Sequence, residues 1–247
     1  MPFYEKGNVR IRYEEAGSGF PLFIIHGGGL NSKAIYPNGP FDAPGEFKSE
    51  YRCITMDLRN ANGGQSTGPL DCDDPWGMHA SDQLGLLDHL GVDKFFVMGF
   101  CIGNPMIWNL LQRTKPGRIV AAVSAQPSGA DPNLPRHFVN SNLKGWAPTL
   151  MASRPEITQD MVNRFLEKMY GTADFVITAT RDYVKSCNVP LLVLPDNTDA
   201  HPYTTAMEMV RTAPNAQASF FPWKDNKQNV TLALRHIRTF LKANRIQ

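Results

Sequence analysis

Apolar and polar positions change rhythm several times along this chain. Val9-Arg10-Ile11-Arg12-Tyr13 alternates with a period of two and predicts a half-exposed strand. After the turn Gly17-Ser18-Gly19, Pro21-Leu22-Phe23-Ile24-Ile25 is continuously apolar, the pattern of a strand buried on both faces. Arg52 to Met56, Phe95 to Met98, Ile119 to Val123, Pro190 to Leu194 and Ser219 to Phe221 predict further strands. Ala80 to Leu90 places Leu84, Leu87 and Leu90 on one helical face, with Gly91 as its stop. Asn104 to Gln112 predicts a helix, and Val230 to Leu241 a closing one. Strands alternating with helices predict an α/β fold, a mostly parallel central sheet flanked by helices. Between Gln126 and Cys187 the strand signals stop. Helical segments near Phe138–Leu150 and Thr158–Tyr170, punctuated by Pro127, Pro132, Pro135, Pro148 and Pro155, predict a small helical cap. Residues 1–126 and 188–247 then form the core and residues 127–187 the cap.

Composition narrows the classes. A chain of 247 residues suffices for one large α/β domain or two small ones. The net charge is +2 with both signs interspersed, so no nucleic-acid surface is expected. No apolar run is long enough to span a bilayer, and Met1-Pro2-Phe3-Tyr4-Glu5-Lys6 lacks a signal-peptide core. The expectation is a cytoplasmic protein acting on a small molecule, with neither nucleic acid nor membrane as partner and a homodimer as the default assembly. The cysteines, Cys53, Cys72, Cys101 and Cys187, show no Cys-x-x-Cys pairing or metal-ligand spacing, so no metal site is expected. Cys53 lies in a strand run, Cys72 among aspartates, and Cys187 just before a strand.

Cys101 differs from the other three. Gly99-Phe100-Cys101-Ile102-Gly103 joins the apolar run Phe95–Met98 to the helix that follows, a strand, a sharp turn and a helix. Glycines two before and two after the central residue let the backbone bend without Cβ clashes. The pattern is that of a nucleophile elbow with Cys in the Ser position. A helix N-terminus favours negative charge and so favours the thiolate. The structural alternative is an inert buried thiol.

Taken in order, these segments resemble the α/β-hydrolase superfamily over nearly the whole chain. His26-Gly27-Gly28-Gly29 follows a buried strand as the family's oxyanion loop does. Asp57-Leu58-Arg59-Asn60-Ala61-Asn62-Gly63-Gly64-Gln65-Ser66 looks like a slightly stretched Asp-x-Arg-Gly-x-Gly-x-Ser turn. The elbow comes third, and the insertion resembles a family cap. Locally, the cysteine elbow is similar to that of dienelactone hydrolase. The resemblance implies an oxyanion hole from the Ile102 N–H and from Gly28 or Gly29. It also implies a histidine general base after the last strand.

That histidine is missing. The segment reads Phe220-Phe221-Pro222-Trp223-Lys224-Asp225-Asn226-Lys227, and His236 comes later, inside the closing helix. One strand earlier, the loop where the family carries its acid reads Pro195-Asp196-Asn197-Thr198-Asp199-Ala200-His201-Pro202-Tyr203. His201 is the candidate base, with Asp196 or Asp199 orienting it; its alternative role is to cap the helix that follows. A thiol tolerates such a rearrangement better than a hydroxyl, because its pKa is already near ~8.5. Lys224 either holds a substrate carboxylate or is solvated, and Trp223 either closes the pocket wall or packs. His26 is a candidate substrate-binding residue that also orients the oxyanion loop, and Arg59 either binds substrate or holds its turn.

The leading expectation is a cysteine-dependent hydrolase of an ester, thioester or lactone, working through an acyl-enzyme on Cys101 without a cofactor. The alternatives are a carbon–carbon bond hydrolase or lyase on the same fold, and a non-catalytic small-ligand receptor.

Overall fold

The computed structural model describes residues 1–245. Its strands are β1 Phe3–Lys6, β2 Val9–Ala16, β3 Phe20–Ile25, β4 Tyr51–Met56, β5 Phe95–Cys101, β6 Ile119–Pro127, β7 Leu191–Leu194 and β8 Ala216–Ala218. They form one sheet in the order β1-β2-β4-β3-β5-β6-β7-β8. The β1–β2 and β2–β4 pairs are antiparallel, and every later pair is parallel. The fold is the α/β sheet that the alternating pattern predicts.

β5 runs through the middle and is buried along its length up to Phe100, which accounts for its unbroken apolar sequence. Two apolar clusters cover the sheet. Trp76, Leu86, Ile107 and Leu110 build one with α2 (Pro75–His89) and α3 (Gly103–Arg113). Phe47, Leu234, Ile237 and Leu241 build the other with α1 (Ala43–Phe47) and α9 (Lys227–Ala243). Between β6 and β7 lie α4 (His137–Gly145), α5 (Ala147–Ser153), α6 (Gln159–Tyr170) and α7 (Arg181–Ser186). Their buried residues, among them Val139, Trp146 and Phe165, join the α2–α3 cluster, so the insertion shares the core of the domain beneath it. Among the described residues no helix is long and apolar enough to cross a membrane.

Several boundaries differ from the sequence reading, each for a local reason. The helix expected from Ala80 starts at Pro75, because Asp74 accepts from Gly77 N as N-cap and proline suits the first turn. The helix expected over Phe138–Leu150 divides at Trp146, and Pro148, which has no N–H to donate, lies in the first turn of α5. The last strand is Ala216–Ala218, not Ser219–Phe221: Leu191–Val193 pair with the alanine stretch, and Phe220 and Phe221 project past the sheet edge into solvent. α8 occupies Tyr203–Thr212.

Candidate active site

Strand β5 ends at Cys101, which adopts φ 56°, a left-handed conformation costly for a residue with a Cβ. The flanking glycines make room for it. A Cβ on Gly99 would lie 2.6 Å from the Gly103 carbonyl oxygen, and one on Gly103 would lie 3.0 Å from that of Ile25. The strand therefore turns into α3 in one step and leaves the thiol at the helix N-terminus. The glycine loop Gly27–Gly29 meets it from β3. A Cβ on Gly27 would stand 3.3 Å from the Cys101 Cβ, and Gly28, at φ 103°, opens a short 3-10 turn over Gly29–Asn31.

The β7 loop brings the imidazole. Thr198 and His201 exchange backbone hydrogen bonds of 3.2 and 3.0 Å, folding the loop back on itself. His201 Nδ1–H donates to Asp196 Oδ2 at 3.0 Å, with Thr198 Oγ1 at the same distance. The other ring nitrogen, Nε2, is buried with no hydrogen-bond partner among the described residues, and the charge of the Cys101 thiolate acts on the ring. Burial alone would push the Cys101 thiol up. His201, the Ser128 hydroxyl 3.3 Å from Sγ, and the Ile102 N–H outweigh that and bring it down to about 7. Burial likewise opposes the charge on His201, but the facing thiolate and Asp196 raise its pKa above the ordinary value. Both shifts favour the charged form of the group concerned, thiolate on Cys101 and imidazolium on His201.

Asp196 is buried and has a second partner, the Lys224 ammonium at 2.6 Å, which also donates to Gln126 Oε1 at 3.0 Å. Lys224 thus stands where the sequence leaves the family's histidine position empty. Cys101, His201, Ile102, Gly28 and Gly29 all line one cavity of about 380 Å³ between the carboxyl ends of the strands and the inserted helices. Phe138, Trp146, Ile177 and Tyr170 supply its apolar walls; Asn142, Ser141 and His137 add polar groups.

Other sequence candidates fall elsewhere. Asp199 is exposed and makes no bond to His201, so Asp196 is the carboxylate that orients the ring. His201 is not a helix cap: α8 has Pro202 at its N-cap and no side-chain cap bond. Trp223 is fully buried in the core, with Nε1 donating to Pro195 O at 2.7 Å, and does not border the cavity. Lys224 lies behind the wall, engaged with Asp196 and Gln126 rather than facing substrate. His26 also stands outside the cavity and is not a substrate contact; its Nδ1 donates to Lys33 O at 2.8 Å and its carbonyl accepts from Ser32, which holds the glycine loop in place. Arg59 does not bind substrate: Nε donates to Asp82 Oδ2 at 2.9 Å, both side chains are buried, and Nη1 donates to Pro69 O. Arg59→Ala leaves Asp82 charged and uncompensated in the interior, and is expected to lower unfolding free energy by ~3 kcal/mol in urea titration.

Ser128 and Gln126 carry no motif in the sequence. The one clue to them is that both follow the apolar run Ile119 to Val123, near the strand end where open parallel sheets place ligands. Ser128 is fixed from below: Asn104 Nδ2 donates to its carbonyl at 2.8 Å, and Ser124 Oγ donates to Asn104 Oδ1 at 2.9 Å.

Comparison with known proteins agrees with the topology. The family profile described as "alpha/beta hydrolase fold" matches residues 21–221. Over 107 residues, 40% of this chain, the sequence is 35% identical to 2-hydroxy-6-oxo-6-phenylhexa-2,4-dienoate hydrolase of Burkholderia cepacia, and that match spans only 35% of the relative's length. An esterase from Rhodococcus sp. superposes with a TM-score of 0.69 at 18% identity, covering 98% of each chain. An enol-lactonase from Burkholderia xenovorans does so with a TM-score of 0.69 at 16% identity, covering 98% of this chain and 100% of that one. With most of its length under the family profile and an elbow at the end of β5, the chain belongs to the alpha/beta hydrolase fold family.

Proposed function

We propose that the protein is a cysteine-dependent hydrolase of uncharged esters or lactones. The observation that carries this is the placing of Cys101 and His201, itself held by Asp196, in the lining of one cavity beside two sources of oxyanion N–H groups. The Cys101 thiolate attacks the carbonyl carbon and a C–S bond forms. The Ile102 N–H and a Gly28 or Gly29 N–H receive the developing oxyanion. His201 Nε2–H protonates the departing alkoxide as the tetrahedral adduct collapses to a thioester. The now neutral imidazole takes a proton from water, the resulting hydroxide attacks the thioester, and the carboxylic acid leaves as the thiolate is restored. Asp196 keeps Nδ1 protonated so that Nε2 does this work. The cavity lining includes no lysine or arginine, which favours a neutral substrate over a carboxylate such as a dienoate.

Carbon–carbon bond hydrolysis is the second reading, favoured by the 35% identity to the dienoate hydrolase. It requires His201 as a base and the oxyanion hole, but no acyl transfer to sulfur. A receptor role leaves the Cys101–His201–Asp196 arrangement without a purpose.

Intact-mass spectrometry after mixing with p-nitrophenyl butyrate tests the covalent route. The expected result is an adduct of one butyryl group that decays over time and is absent in Cys101→Ala. Turnover of that ester with no adduct on rapid acid quench, and undiminished in Cys101→Ala, overturns it.

A further inference from the structure

Gln126 is a strained residue beside the nucleophile. It adopts φ 42°, in the left-handed region, where a residue with a long side chain is seldom found without a structural or functional reason. Its neighbours run alongside the elbow: Pro127 pairs with Cys101 across the β5–β6 register shift, and Ser128 N donates to Cys101 O at 3.2 Å. Gln126 lines the same cavity as Cys101.

The orientation of its amide follows from chemistry. Lys224 Nζ lies 3.0 Å from the amide end that faces it, and an ammonium can only donate, so that end is Oε1. Lys224 is itself anchored on Asp196. The Nε2 end therefore points away from Lys224, and it makes no hydrogen bond to protein among the described residues. The half-buried Lys224–Asp196 ion pair thus holds a neutral amide with its donor end free, one residue from the strand partner of the nucleophile.

We infer that Gln126 is a substrate-binding residue whose Nε2–H donates to a second oxygen of the substrate, one other than the scissile carbonyl. The site then takes neutral acyl compounds bearing an additional acceptor near the reacting carbon, such as oxo-esters or oxo-substituted lactones. This rests on the proposed ester hydrolysis and specifies its substrate. Lys224 acts through Gln126 and Asp196 and is a positioning residue.

The test compares kcat/KM for p-nitrophenyl 3-oxopentanoate and 4-oxopentanoate with that for p-nitrophenyl pentanoate, as ratios, in the wild type, Gln126→Leu and Gln126→Glu. A ratio cancels general damage and the intrinsic reactivity of each ester. Gln126→Glu keeps the shape and still accepts from Lys224, but presents no donor. For at least one oxo-ester the ratio is expected to fall roughly tenfold in both variants. Ratios within about twofold of wild type for both oxo-esters, in either variant, overturn the inference. Intact mass on the same mixtures separates the two hypotheses: no Cys101 adduct with any ester defeats the acyl-enzyme, whereas adducts with unchanged ratios defeat only the role of Gln126.

Discussion

Replacing Cys101 by alanine is expected to lower kcat/KM on a neutral activated ester by ~10⁴-fold or more, about 5.5 kcal/mol of transition-state stabilisation. The remaining rate reflects the oxyanion N–H groups and binding alone. Cys101→Ser is the more discriminating variant. The site holds a thiol whose pKa is brought down to about 7, so a large fraction is already thiolate at neutral pH. A serine hydroxyl has no comparable anion, and His201 would have to remove its proton during attack. Cys101→Ser is therefore expected to keep less than ~1% of the wild-type kcat/KM. If it keeps most of the activity, as measured by initial rates on one ester, the sulfur is not the nucleophile and base-driven carbon–carbon cleavage becomes the better account.

Replacing His201 by alanine is expected to cost ~10³-fold in kcat and to move the pH profile. In the wild type, kcat/KM rises as the pair loses its first proton, through an apparent pKa near 7, and falls at higher pH as the imidazolium is lost. The sign for the variant follows from the causes. Burial raises the thiol pKa, and His201 is the foremost group opposing it. Without the imidazole the rising limb moves up toward or above the ordinary thiol range, and the falling limb disappears. Thiolate absorbance or the rate of alkylation of Cys101 against pH reads the same shift without turnover. An unmoved rising limb would mean that the helix N-terminus and Ser128 alone hold the thiolate.

Much of this architecture was legible in the sequence because it depends on local or one-dimensional rules. A strand buried on both faces must be continuously apolar, as Leu22–Ile25 and Phe95–Met98 are. A sharp strand-to-helix turn needs glycines where a Cβ would strike backbone, and Gly99 and Gly103 stand at those points. The edges were less legible. β8 is only three residues, Ala216–Ala218, too short for its alternation to stand out, so its place is set by pairing with β7. The start of α2 depends on the cap Asp74, a residue outside the apolar period.

In the site, the sequence by itself determined the sharp turn that carries Cys101, the glycine loop Gly27–Gly29 after β3 and a loop holding Asp196, Asp199 and His201 together. It could not choose between the aspartates, because that choice depends on the backbone turn joining Thr198 to His201, which buries Asp196 and leaves Asp199 in solvent. Nor could it assign Trp223, Arg59 or His26. An aromatic ring, a guanidinium or an imidazole reads the same in a pocket wall as in a core, and burial and partners separate these roles. Lys224 and Gln126 meet across 98 positions of sequence, and Cys101 and Ser128 across 27. Only the tertiary structure decided those contacts. They join residues on different segments of the chain, where no local periodicity, propensity or turn preference acts; the pairing of β5 with β6 brings Ser128 to Cys101, and the segment after β8 brings Lys224 to Gln126.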